Sequence, residues 1–197
     1  MRLVSWWALI SSACAPVVLV GGWTVAERLY GPGYDWWTDT ISTLASDGAA
    51  GRWVMTAAVI GLGICHLITA IGLRAASLAG RLALAAGGVT AFVLAWSPEP
   101  PSGGSLRHGW VVAIGFTLLA LWPVLAARGR PRESVPWTLR VPSAVAVTVL
   151  LALGAVWFVL ALRHHGAAGL AERVLTTAQS LWPFVVVASC LRSTSRT

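Results

Sequence analysis

Six of the seven carboxylic acids in the chain lie in three short polar segments that also contain arginine, histidine and serine. Such groups allow acid–base chemistry, because a carboxyl group that is unpaired and partly desolvated can donate or accept a proton. The candidate catalytic residues are Asp35, Asp39 and Glu172. The candidate substrate-binding residues around them are Glu27, Tyr34, Ser42, Arg52, Trp53, His108, Arg173, Gln179 and Trp182. The alternative interpretation is that these groups are solvated helix ends and structural ion pairs.

The spacing of these residues predicts a common pocket. Asp35 and Asp39 are one helical turn apart, and Arg52 follows in the same polar segment. We predict that these three residues and Glu172 converge, with His108 at the rim and Gln179 extending the pocket along the face of Glu172. A nucleophilic mechanism would require Ser42 beside a base such as His108, and no sequence motif specifies that pair.

Two further residue types could do chemistry. His66 lies deep in an apolar run, and no other histidine lies at a similar depth. A second histidine ligand for a metal or haem is therefore missing. We expect a neutral ring bonded to a backbone carbonyl and no metal or haem. No cofactor is expected. Twelve tryptophans are present, and most lie near run ends, as in an interfacial belt. A tryptophan-lined cavity would suit a flat apolar ligand or a cationic intermediate, because ring faces attract cations.

The elements that must position these residues are membrane spans. Of the 197 residues, 57% are hydrophobic and 11% charged, whereas a soluble domain has about 25% charged residues. Apolar runs occur at 4–26, 53–73, 79–97, 109–127, 141–162 and 174–191, and each is near the length that crosses a bilayer. We therefore predict an all-α polytopic bundle, in which residues 1–197 form a single integral membrane domain.

The arginines predict the orientation. Nine lie at one end of the predicted spans, namely Arg2, Arg74, Arg81, Arg128, Arg130, Arg132, Arg140, Arg192 and Arg196, and five lie at the other. Cytoplasmic loops carry the excess of basic residues, so both termini are predicted to be inside, in the cytoplasmic (inner) membrane. The acidic segments then face outward. Because the arginines stand singly at the ends of apolar runs, nucleic acid is not an expected partner.

The first outer loop has its own pattern. Over residues 35–46, apolar and polar side chains alternate with helical periodicity, which predicts a short amphipathic helix. We expect Trp36, Trp37, Ile41 and Leu44 to be buried in lipid or against the bundle.

Several of these short motifs occur in an order that resembles the bacterial membrane family named domain of unknown function 998. They are Tyr34-Asp35, Asp39 to Ser42, Arg52 to Met55, His66, His108-Gly109, Leu121 to Pro123, Glu172-Arg173 and Trp182-Pro183. The resemblance implies a membrane protein of six or seven helices. It implies no activity, but it favours the outer cluster as the functional end.

Three function classes remain open. The first is an enzyme that acts on a lipophilic small molecule through a site opening to the non-cytoplasmic side, and acid-initiated cyclisation of an isoprenoid fits the acids and tryptophans. Small membrane-integral terpene cyclases provide an analogy for that reaction. The second is a transporter of a lipid or small solute. The third is a non-catalytic assembly or stress protein. Membrane lipids are expected partners in each case.

Overall fold

A computed structural model describes residues 4–100, 104–128 and 135–194, and in these ranges all regular secondary structure is helical. The helices are α1 (Trp6–Tyr30), α2 (Ile41–Leu44), α3 (Arg52–Gly72), α4 (Leu78–Ala95), α5 (Leu106–Ala126), α6 (Val141–Arg163) and α7 (Ala168–Thr194), with a 3-10 turn at Trp137–Leu139. All but α2 and that turn are long and apolar enough to cross a membrane. The structure therefore confirms the predicted polytopic helical bundle.

The six long helices form a closed ring. Each packs against the next along the chain, and α7 returns to pack against α1. Neighbouring helices run in opposite directions, because Gly72 at the end of α3 lies on Ala8 near the start of α1, and Gly80 near the start of α4 lies on Ala126 at the end of α5. Residues 31–51, 96–100, 104–105 and 164–167 therefore meet at one end, which we name the mouth end. Residues 73–77, 127–128 and 135–140 lie at the opposite end.

Glycine allows α4 to approach both of its neighbours closely. A Cβ atom on Gly63 of α3 would lie 2.7 Å from the carbonyl oxygen of Gly88, and one on Gly80 would lie 2.3 Å from the Cα of Ala126 in α5. In lipid, apolar side chains gain little by associating, so close backbone packing stabilises the helix pairs. These contacts fix the positions of α3 and α5 against α4.

The short helix in the first connection forms, but the prediction of helix throughout 35–46 is wrong in its extent. Regular helix covers only Ile41–Leu44. Before it, Asp35 Oδ1 accepts the N–H of Trp37 at 3.0 Å, and Asp39 Oδ2 accepts the N–H of Asp35 at 2.9 Å. Short acidic side chains that bond to nearby backbone favour a turn over continued helix, and here they separate that turn from α2.

Only part of the apolar face of this segment packs against the bundle. Ile41 and Leu44 are buried, and they pack with α1 and α3. Trp36 and Trp37 are exposed, with 51% and 47% of their surface accessible. Their rings instead contact each other edge to face, with centroids 5.6 Å apart. The separate turn points these two rings away from the bundle.

Candidate functional site

A cavity of about 100 Å³ lies inside the ring and extends from the mouth end into the bundle. Its walls come mostly from apolar side chains of α3, α4 and α5, and α2 lies over it. Polar side chains concentrate where α2 meets α5 and α7. The lining includes Ile41, Ser42, Thr56, Thr90, His108, Glu172 and Thr176, together with His66, Gly87, Gly115, Phe116 and Leu119.

Ser42 and His108 form a hydrogen-bonded pair at the cavity. The Ser42 hydroxyl is 3.0 Å from His108 Nε2, and His108 Nδ1 is 2.8 Å from the carbonyl oxygen of Ser97. A carbonyl can only accept, so in the neutral ring Nδ1 holds the proton and Nε2 is the basic nitrogen. The Ser42 hydroxyl then donates to Nε2. This is the arrangement in which a histidine can remove a serine proton.

Three separate elements position this pair. Ser105 caps α5 by accepting the N–H of His108 at 3.2 Å, which sets His108 in the first turn. Ser97 follows the last residue of α4 closely and supplies the carbonyl that orients the ring. Ser42 lies in α2. His108 is buried, so its ring is held by these contacts and not by water.

Glu172 is the only predicted catalytic acid that the structure places in the cavity lining. Its side chain is buried, at 4% exposure, and Oε2 accepts the backbone N–H of Ile41 at 2.5 Å. The Ser42 hydroxyl is close to the same carboxyl group. Glu172 therefore joins α7 to the start of α2 and touches both the cavity and the nucleophile candidate.

Arg173 fastens the first connection to α7. Its Nη2 contacts Glu27 Oε1 and lies 2.6 Å from the Tyr34 hydroxyl. Its Nη1 donates to the carbonyl oxygens of Trp36 and Asp39, both at 3.2 Å. We name the side chains of Arg173, Glu27 and Tyr34 the latch. These three predicted substrate-binding residues lie together, but the cavity lining includes none of them.

The Tyr34 phenol of the latch is held in its neutral form. Burial raises the pKa of the Tyr34 phenol above its ordinary value, because desolvation disfavours the phenolate. The neutral phenol lies 3.0 Å from the Asp39 carbonyl oxygen and 2.9 Å from that of Thr40. The Asp39 carbonyl oxygen, two residues before α2, is thereby held by Tyr34 and by Arg173 of α7.

The predicted convergence of Asp35, Asp39 and Arg52 with Glu172 is wrong. Asp35 is exposed, Asp39 is half-buried, and both side chains bond within their own turn. Arg52 pairs with Asp47 at 2.6 Å and lies over the ring of Trp53, 4.9 Å from its centroid. None of these residues lines the cavity in the described structure. Their charges are satisfied locally, which removes the electrostatic reason to converge.

Gln179 and Trp182 are also away from the cavity lining. Gln179 is buried and donates to the carbonyl oxygen of Phe116 at 3.0 Å. Trp182 packs on the core cluster nearer the opposite end, with its ring 6.0 Å from that of Trp137. No tryptophan lines the cavity in the described parts of the chain, so the tryptophan-lined cavity is not observed.

His66 differs from the expectation of a ring bonded to a backbone carbonyl. It is 1% exposed and lines the cavity, yet neither ring nitrogen has a hydrogen-bond partner among the described residues. Within the same ranges, no group of three or more His, Cys, Asp or Glu residues is placed to hold a metal ion.

Sequence reasoning missed Ser97, whereas helical spacing alone places Thr176 on the same face as Glu172. Ser97 acts through its backbone carbonyl, which leaves no side-chain signal in the sequence. Thr176 lines the cavity and donates to the Glu172 carbonyl oxygen at 2.8 Å.

Comparison with known proteins agrees with this architecture. No curated protein and no solved structure matches the chain. A family model described as "Protein of unknown function (DUF998)" matches residues 12–189. That range includes the whole of α2 to α6 and most of α1 and α7, and it contains every residue of the cavity lining. The chain is therefore a multi-pass membrane protein that belongs to the DUF998 family, as the order of its short motifs predicted.

Proposed function

We propose that this protein is a membrane-embedded enzyme that transfers the acyl group of a lipophilic substrate, with Ser42 as nucleophile and His108 as general base. The observation that carries the proposal is the contact of the Ser42 hydroxyl with the basic Nε2 of His108 at 3.0 Å, at the wall of an apolar cavity. The positive-inside pattern of the sequence supports a mouth that opens to the non-cytoplasmic side.

The reaction has two balanced halves. Ser42 Oγ attacks the substrate carbonyl carbon while its proton passes to His108 Nε2, which makes a tetrahedral intermediate. The bond to the leaving oxygen breaks, and His108 returns the proton to that oxygen. An acyl-serine remains. Water or an acceptor alcohol then attacks the acyl carbon, again losing its proton to His108, and Ser42 leaves with that proton.

Two groups position the reacting pair. The Ser97 carbonyl holds the His108 proton on Nδ1, so that Nε2 faces Ser42. Glu172 holds the Ile41 N–H and thereby the first turn of α2, in which Ser42 lies. Both contacts orient the pair before substrate arrives, and preorganised geometry lowers the entropic part of the barrier.

The cavity defines the substrate class. Its walls are mainly aliphatic, which favours an apolar chain over a charged solute. Its volume of about 100 Å³ is smaller than the roughly 150 Å³ cavity that binds benzene in another protein. The cavity therefore accommodates a short apolar segment next to the reacting carbonyl, while the remainder of a long lipid extends outside it.

A second candidate function is acid-initiated cyclisation of an isoprenoid. The buried carboxyl of Glu172 beside an apolar cavity favours it, because such a group can protonate a double bond or an epoxide shielded from water. Phe116 provides one aromatic ring in the lining for a cationic intermediate. This reaction requires Glu172 but not the Ser42 hydroxyl, so substitutions separate the two.

Covalent labelling tests the acyl-transfer proposal. Purified protein in lipid nanodiscs is treated with a short alkyl fluorophosphonate, and the modified residue is identified by mass spectrometry. We expect an adduct on Ser42, and a labelling rate at least about 100-fold lower in His108→Gln, because a positioned base contributes roughly that much. Ser46→Ala is the matched control, since Ser46 is a buried serine of the same connection whose hydroxyl donates to the Thr43 carbonyl oxygen.

An unlabelled Ser42 in folded wild-type protein contradicts the proposal, as does undiminished total labelling of Ser42→Ala. If Glu172→Gln alone abolishes conversion of an isoprenoid epoxide while Ser42→Ala retains it, the cyclisation alternative replaces acyl transfer.

A further inference from the structure

The imidazole of His66 is a polar group of the cavity that the proposed chemistry does not use. It lies in the second half of α3, far from the α2 end of the cavity, and it is 1% exposed. Neither Nδ1 nor Nε2 has a partner among the described residues. Buried polar groups in native proteins almost always have a hydrogen-bond partner, because their lost hydration must be replaced. No described residue supplies one, which leaves both ring nitrogens available to a bound molecule.

The surroundings of His66 disfavour water as that partner. A Cβ atom on Gly88 would lie 3.2 Å from the Cβ of His66, and the Leu119 side chain packs on neighbouring Gly87. Thr90 also lines the cavity, but its hydroxyl already donates to the Gly87 carbonyl oxygen at 2.7 Å. A buried water needs two to four polar partners, and these walls provide mainly aliphatic carbon beside the imidazole.

A metal ion is an equally poor partner for this ring. No group of three or more His, Cys, Asp or Glu residues in the described ranges could complete its coordination. A neutral imidazole offers one N–H donor and one bare nitrogen acceptor. The chemistry that matches this pair is a single hydroxyl group, which both donates and accepts, or a carbonyl group, which accepts.

We propose that the cavity binds an apolar chain whose buried end has a hydroxyl or carbonyl group, and that His66 hydrogen-bonds this group. The inference rests on the proposed function only in that the same cavity receives the substrate. His66 is then a specificity-determining residue. A substrate with a plain hydrocarbon end leaves the ring unpartnered and binds more weakly, whereas an oxygenated end replaces the missing hydrogen bond.

The test uses butan-1-ol and its apolar counterpart pentane as probes, in the Ser42→Ala variant in phosphatidylcholine nanodiscs. That variant lacks the nucleophile, so the result is independent of whether Ser42 reacts. The chain has four histidines and two methionines, which allows NMR with ¹⁵N-labelled histidine rings and ¹³C-labelled methionine methyls. Met55 lines the cavity and reports occupancy by either probe, while the ring nitrogens of His66 report the hydrogen bond.

We expect butan-1-ol to shift the His66 ring resonances. At equal mole fraction in the bilayer, it should also occupy the cavity roughly three- to tenfold more tightly than pentane, the range that one hydrogen bond provides. His66→Leu should remove this preference while the Met55 methyl still responds to pentane. The proposal is overturned if butan-1-ol shifts Met55 without shifting His66, if His66→Leu keeps the preference, or if neither probe enters the cavity.

Discussion

Gly169 is the position where one methyl group should separate the first connection from the bundle. It is the second residue of α7, and the backbone of the Asp35–Asp39 turn rests directly on it. A Cβ atom there would lie 2.3 Å from the Asp39 carbonyl oxygen and 2.5 Å from that of Trp36. Both oxygens also accept hydrogen bonds from Arg173. The methyl group added by Gly169→Ala would therefore clash with backbone that is held in place, not with a side chain that can move away.

The size of the effect follows from this geometry. Ordinary contact with a Cβ atom begins near 3.4 Å, so the Asp39 carbonyl must retreat by about 1.1 Å. Overpacking of this kind costs about 1–3 kcal/mol, and alanine returns up to about 1 kcal/mol through its higher helix propensity. We expect a net loss of about 0–3 kcal/mol in the free energy of unfolding, with the displacement concentrated in residues 36–46.

Hydrogen–deuterium exchange measured by mass spectrometry tests this reasoning. Amides of residues 38–45 should exchange faster in Gly169→Ala, while those of α3, α4 and α5 stay as in wild type. Gly166→Ala is the matched control, because the nearest atom to its added Cβ is 3.7 Å away. Unchanged exchange of residues 38–45 in Gly169→Ala, or equal acceleration in the control, would refute the view that Gly169 supports the docked connection.

Three further predictions concern the latch, the orientation and His66. Tyr34→Phe removes the phenol that contacts the Arg173 guanidinium and should cost about 1–3 kcal/mol, because a part-buried charged donor loses a partner; an unchanged melting temperature would contradict this. On a cysteine-free background, a cysteine at Asp47 should react with a membrane-impermeant reagent from outside, whereas one at Gly129, which lies outside the described residues, should not; the reverse pattern would invert the topology. Purified protein should show no Soret band and no stoichiometric zinc or iron by elemental analysis, and either finding would assign His66 a different role.

The number and approximate bounds of the long helices could be predicted because hydrocarbon imposes a simple condition. Every backbone polar group must be satisfied within the membrane, and a span must be long enough to cross it. Apolar run length therefore carries most of the information. The prediction failed locally at residues 35–46, where apolar periodicity favoured helix. In the structure, the side chains of Asp35 and Asp39 accept hydrogen bonds from nearby backbone. The hydrophobic periodicity of a sequence does not include the energy of such bonds.

The candidate site was only partly predictable for a related reason. Ser42, His108 and Glu172 were all identified from residue type and position, but so were Asp35, Asp39 and Arg52, and the sequence does not distinguish the two sets. The two sets differ in where the bonding partner of each charged group lies in the chain. Arg52 pairs with Asp47 in its own connection. Glu172 accepts the N–H of Ile41, which is 131 positions away in the chain.

The sequence by itself determined that this is a multi-pass helical membrane protein with most of its acids at one end. Composition and the length of each apolar run show whether a segment lies in lipid or in water. Only the tertiary structure decided which polar residues meet. Closing the ring brings α2, the end of α4, the start of α5 and α7 to one cavity, and Ser42 reaches His108 across 66 positions of chain. Such contacts depend on helix rotation and on close packing at glycines, which local periodicity leaves undetermined because it describes each helix alone.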